Sequence, residues 1–186
     1  FYNDRPFKAE QISYERTFGT TGWASICLPF DLETRSDGMG DVLAFTGEEG
    51  DKVIFTKVTK VEANTPYIIN ITDNSDAKSF SAENVDVPVT SIEPVTPGAG
   101  KFKLKGTFEK IDNAIGYYIL HSNGKGFARG EQDGDNIPYI PAFRAYIEAS
   151  SNFSAKSIDV GSGPTGINVI PEEGMMIWSE SSSLCI

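Results

Sequence analysis

Eighteen isoleucines and ten valines stand against only six leucines in this chain, and no other feature narrows its fold so sharply. Side chains branched at Cβ are stiff in a helix and fit the pleated surface of a strand, whereas leucine loses little freedom in a helix. Twelve Phe and seven Tyr push the same way, and eighteen Gly with ten Pro supply turn residues in abundance. The expectation is a β-rich domain, not a helical bundle or coiled coil. At 186 residues the length suits one domain with a real core and leaves room for a short appendage.

The pattern along the chain gives about ten short strands. Phe1 to Gln11 is polar and irregular and is expected to be a leader. Ile12 to Phe18 alternates apolar and polar residues, the period of a half-buried strand, and Trp23 to Phe30 is a longer apolar strand ended by Pro29. A short strand is expected over Val42 to Phe45, then strands over Lys52 to Val61 and Tyr67 to Ile71. The Val/Pro-rich stretch Phe80 to Val95 predicts irregular edge strands, because proline interrupts a central ladder. Phe102 to Phe108 alternates cleanly, and Gly116 to His121 leads through Asn123-Gly124 to Phe127-Ala128, a strong hairpin signal. Phe143 to Ala149 closes the main body, joined by Phe153 to Ile158. No window carries a helical stripe, and the spacing predicts an all-β fold, an antiparallel β-sandwich or distorted barrel.

A seam follows at Gly161-Ser162-Gly163-Pro164-Thr165-Gly166. Residues 1–160 are therefore expected to form the β-sandwich domain, with 1–11 as the leader. Residues 161–186 form a linker and a C-terminal β-hairpin appendage, or the start of a further module, with strands at Met175 to Trp178 and Ser183 to Ile186. The opening Phe-Tyr-Asn-Asp has no Met start and no apolar targeting region, so the chain reads as a piece of a longer precursor, and the missing signal peptide says nothing about secretion.

Charge and chemistry exclude more than they assign. With 26 acidic against 16 basic residues, most of the surface would repel phosphate backbones, so no nucleic-acid partner is expected. No apolar run approaches the roughly 18 residues of a membrane span. The only histidine is His121, and no nucleophile elbow, zinc signature or phosphate loop accompanies it. A carboxylate pair for glycoside hydrolysis is conceivable among so many acids, but none is singled out. No catalytic, cofactor-binding or ligand-binding residue is therefore assigned, and the chain is expected not to be an enzyme.

Weaker signals remain. Glu131 to Asn136 clusters oxygen ligands around Gly134, which makes Asp133 and Asp135 calcium candidates against the plainer reading of a turn. Tyr14, Tyr67, Tyr118, Tyr139 and Trp178 are candidates to stack on sugar rings, or else to pack in the sheets. Arg144, set in a strand, must point outward or pair with an acid, as a structural partner before a ligand contact. Cys27 lies in an apolar strand and reads as a buried free thiol, with a bridge to Cys185 as the alternative.

Tyr14-Glu15-Arg16-Thr17-Phe18 followed by Gly22 to Phe30 resembles a pattern in secreted surface proteins of Bacteroides and Prevotella, an aromatic-x-Arg strand before a Gly-Trp…Cys-Leu-Pro-Phe strand. The likeness continues through Ala63 to Ile69, Lys105 to Phe108, Tyr118 to Leu120, Phe143 to Tyr146 and the Pro164 to Ile167 junction. It implies a β module of large bacterial cell-surface or secreted proteins, often carried beside BspA-like leucine-rich repeats or bacterial Ig-like domains and described as adhesins. Family precedent offers no catalytic or ligand residue to carry over. The expectation is a noncatalytic, extracellular, monomeric module serving adhesion, display or spacing, with a host or matrix protein or a glycan as partner. The alternative is a carbohydrate-binding module using exposed aromatics, assisted by calcium. Trp23, Ile26, Leu28 and Phe30 are expected in the core, with Phe143 and Tyr146 as a facing layer.

Overall fold

A computed structural model describes residues 1–33, 38–97, 99–121, 124, 126–161 and 182–185, with side chains described up to residue 160. Twelve strands and no helix occur among them: β1 (Phe7–Arg16), β2 (Gly22–Cys27), β3 (Met39–Glu49), β4 (Lys52–Val58), β5 (Pro66–Ile71), β6 (Lys78–Val87), β7 (Phe102–Thr107), β8 (Tyr118–Leu120), β9 (Gly126–Arg129), β10 (Arg144–Ala149), β11 (Ser157–Gly161) and β12 (Ser182–Cys185). The fold is all-β, as the Ile and Val excess predicts. A nine-stranded sheet runs in the order β2-β5-β3-β4-β11-β9-β8-β10-β7, and a three-stranded sheet in the order β12-β1-β6.

The large sheet curls until its two ends meet. Cys27 on β2 donates its backbone N–H to the carbonyl of Phe143 at 3.3 Å, and Ala145 on β10 donates its own to Ser25 Oγ at 3.1 Å. Inside this nearly closed barrel lie Phe45, Phe55, Ile68, Leu104, Phe127 and Ile147. The small sheet lies over the outer side of β2, β5 and β3, and Ile12, Tyr14 and Phe80 meet Ile26, Leu28, Phe30 and Ile69 in a second core. Strand β5 is thus covered on both faces, since Ile68 enters the barrel while Tyr67, Ile69 and Ile71 enter the inter-sheet core. That double burial is why its sequence is a continuous apolar run and not an alternation.

Several expectations need correction. Residues 7–11 are not an irregular leader but the first half of β1, paired with β6 from Phe7↔Val87 onward. Their inward face changes phase: Ala9 is buried, then Ile12, Tyr14 and Arg16, while Glu10 and Gln11 are both exposed. The paired strand changes phase at the same level, where Glu83 and Asn84 are exposed and Asn84 adopts a left-handed backbone (φ 51°). Two strands that twist together keep pairing while the period-2 signal in each disappears. The stretch expected as irregular edge strands is, up to Val87, a single edge strand whose irregularity lies at Asn84, and it is blunted by the exposed Glu83 and Asp86.

Strand β3 is much longer than Val42 to Phe45 and absorbs a bulge between Phe45 and Gly47. The pairing is not wholly antiparallel, because β11 lies parallel to β4, with Val160 opposite Val53. Within the expected appendage, β12 adds to the small sheet beside β1, with Cys185 opposite Ser13. That part of 161–186 extends the small sheet of the main body. The strand expected over Met175 to Trp178 lies outside the described residues. Phe143 joins Ile26, Leu28 and Phe30 in the inter-sheet core, but Tyr146 belongs to a third, smaller cluster, and Trp23 is half-buried against the barrel core.

Candidate functional site

Most residues that carry chemistry in the sequence prove to be architecture. Arg144 turns inward, not outward, and is buried. Its Nη1 donates to the Tyr14 hydroxyl at 2.6 Å and to the Ala142 carbonyl at 3.3 Å. Arg16 is buried nearby, donates to the Ser25 carbonyl at 2.9 Å and lies over the Phe18 ring. Phe143, with φ 61°, packs its ring on Tyr14 at 4.8 Å. In a regular strand Phe143 would share the barrel-facing side of Ala145. The left-handed backbone sends it to the other side, so residues 143 and 144 both reach Tyr14. These groups fasten the small sheet to the line where the barrel closes.

Of the candidate platform aromatics, Tyr14, Tyr67 and Tyr118 are buried and cannot stack on a ligand. Burial raises the phenol pKa of Tyr67 and of Tyr118, whose hydroxyl donates to the Ala155 carbonyl at 2.7 Å. Trp178 lies outside the described residues. Cys27 is a free, buried thiol, so the alternative bridge to Cys185 is not made, and desolvation pushes its pKa up to about 12, away from nucleophilic character. His121 follows β8 directly, where its backbone pairs with Gly126 across the hairpin, and the Asn123 half of the turn signal is outside the described residues.

The calcium candidates sit in a closed turn. Asp133 and Asn136 exchange backbone hydrogen bonds of 3.1 and 2.9 Å, and Gly134 between them has φ 57°. Both Asp133 and Asp135 are exposed. Among the described residues, no three His, Cys, Asp or Glu side chains are arranged to hold a metal ion.

One ion pair is built differently from the surface pairs. Lys78 is buried and donates from Nζ to Asp73 Oδ2 at 2.8 Å. That hydrogen bond, followed by those from the backbone and hydroxyl of Ser75, lowers the Asp73 carboxyl from 3.8 to about 2. A depressed folded-state pKa contributes stability that is present above the unfolded value and lost as pH falls through the folded one. The expected result is an Asp73 carboxyl resonance titrating near pH 2, and moving up toward 3.8 in Lys78→Gln. A midpoint unchanged by the substitution would remove Lys78 as the cause.

The candidate site is on the opposite, outer side of β8 and β10, where two loops are zipped together. Ile111 and Ile140 exchange backbone hydrogen bonds of 2.8 and 2.9 Å, Ala114 donates to the Pro138 carbonyl, and Gly116 to that of Gly130. Beneath them Ala114, Ile119, Ile140 and Tyr146 form the third core. Burial first, then Glu148 and Tyr117, pushes the Tyr146 pKa up to about 12. At the tips Ile115 and Ile137 are 44% and 47% exposed. On the same loops Tyr117 and Tyr139 are half-buried, and Asp112, Glu131, Asp133 and Asp135 are exposed. Lys110 lies 4.9 Å from the Tyr139 ring centroid and pairs with Asp112.

Of the sequence candidates, this surface gathers Tyr139, Asp133 and Asp135, and it leaves out Tyr14, Tyr67, Tyr118 and Arg144. Sequence reasoning misses Ile115 and Ile137. Their signal is faint, a solitary β-branched residue placed directly before a Gly or a Pro in a polar loop. No protein-family model, curated protein or solved structure matches the chain.

Proposed function

We propose that this is a noncatalytic β module of a bacterial cell-surface or secreted protein, serving adhesion or display through its rigid loops. One observation carries the reading. Among the residues in which the chain resembles exported surface proteins, Tyr14, Arg16, Ile26, Leu28, Phe30, Phe143 and Arg144 are engaged in joining two sheets. Exposed apolar side chains sit instead on loops held by that scaffold, the usual place for a binding function. Whole precursor displayed on cells should bind immobilised host-matrix proteins or glycans, and lose that binding when residues 1–160 are deleted. Retained adhesion without them, or turnover of a peptide or glycan substrate by the purified chain, would refute the reading.

A second reading, carbohydrate binding, is favoured by Tyr117 and Tyr139, which keep part of their rings exposed on the same loops. A glycan array run with and without calcium tests it. Signal that vanishes in Tyr139→Ala would support it, and uniform silence would eliminate it.

A further inference from the structure

We propose that the paired loops dock a basic segment of a partner protein. Ile115 and Ile137 would pack against that segment's apolar side chains while the carboxylates of the same loops meet its lysines or arginines. The inference rests on the binding-module reading above and adds the chemistry of the partner.

Four observations lead to it. The loops are preorganised, because reciprocal backbone hydrogen bonds between Ile111 and Ile140 and a core of their own hold them, so docking costs little ordering entropy. Two β-branched aliphatic side chains are left nearly half exposed on this fixed platform, and exposed apolar groups rimmed by polar ones mark protein interfaces. The same loops expose Glu131, Asp133 and Asp135, while Asp112 is paired with Lys110, and this net negative charge selects a cationic partner and steers its approach. A second copy of the same surface is disfavoured by the same charges, which would face their own sign across a two-fold axis.

The ring geometry argues against a sugar as occupant. Tyr139 has the Lys110 ammonium over its ring, and Tyr117 is tilted 42° against Tyr146. Each ring is thus already engaged by a neighbour, whereas Ile115 and Ile137 are open to leucine- or valine-sized side chains.

The test uses the full chain, isotope-labelled, titrated with three synthetic peptides: alternating leucine and lysine, alternating serine and lysine, and alternating leucine and glutamate. Only the leucine–lysine peptide should shift the amides of residues 110–117 and 130–139. Ile115→Asn combined with Ile137→Asn should weaken that binding by about tenfold or more with Tm unchanged. Asp133→Asn combined with Asp135→Asn should flatten its salt dependence. An equal response to the serine–lysine peptide, shifts elsewhere on the molecule, or indifference to the isoleucine variants would overturn the proposal. Neutral oligosaccharides shifting the same amides while the peptides stay silent would replace the protein partner by a glycan and leave the binding-module reading standing. That reading fails separately, through the whole-cell adhesion experiment.

Discussion

Replacing Phe143 by glycine should leave a more stable protein than replacing it by alanine, the reverse of the order expected in an ordinary strand. Both variants lose a ring that packs 4.8 Å from Tyr14 and 6.0 Å from Phe108 between centroids. Removing a buried phenylalanine costs about 3–5 kcal/mol. The difference between them comes from the backbone. Residue 143 has φ 61°, where a Cβ crowds the following carbonyl by about 1–2 kcal/mol and glycine is free of that penalty. Glycine loses more conformational entropy on folding, which narrows the gap. The net expectation is an advantage of about 1 kcal/mol for Phe143→Gly over Phe143→Ala, read from urea midpoints at equal m-value. Equal stability, or alanine ahead, would mean that the left-handed conformation does not persist and does not direct the ring.

The second large effect is at Gly106. A Cβ placed there would lie 2.2 Å from Cys27 Sγ and 2.8 Å from Cys27 Cβ. This is the contact where the two ends of the barrel press together, and neither atom is the far end of a flexible chain. Overpacking of this kind costs about 3 kcal/mol, so Gly106→Ala should unfold at a much lower denaturant concentration. Cys27→Ala alone removes a small buried group and should cost about 1 kcal/mol. Combined, the two should fall short of their sum by at least about 1 kcal/mol, because the nearest clash partner is gone while the Cβ–Cβ contact remains. Strict additivity in the cycle would exclude the Cys27 contact as the reason for glycine at 106.

Strand positions are legible in the sequence wherever a strand presents one covered face or is covered on both. The run at Tyr67-Ile68-Ile69 and the alternation of Phe102, Leu104 and Gly106 are examples. The failures share a physical cause. In β1 and β6 the inward face shifts by one residue at Glu10-Gln11 and at Glu83-Asn84, so a strict period of 2 breaks each strand into two fragments. The parallel pairing of β11 with β4 is invisible because register between distant strands leaves no local mark. Arg144 misleads because a charged residue in a strand is normally solvated. Its burial depends on Tyr14, which lies far away in sequence. The candidate surface is half legible: its acids announce a turn, but Ile115 and Ile137 gain meaning only once Ala114 and Pro138 are seen to be bonded.

The parallel pair has a consequence for how the chain comes to be folded. Val160 must find Val53 before the barrel wall is complete, so closure joins the fourth strand to the eleventh across six intervening strands. Such distant closure is slow, because the entropy of the intervening loop is lost before any contact offsets it. A ribosome-bound chain lacking Ser157–Gly161 has an open wall between β4 and β9 and exposes the future interior. The barrel therefore closes only after Ser157–Gly161 has emerged. Until that strand is seated, Phe55 and Phe127 border an open gap in the wall, and the barrel interior stays accessible to water.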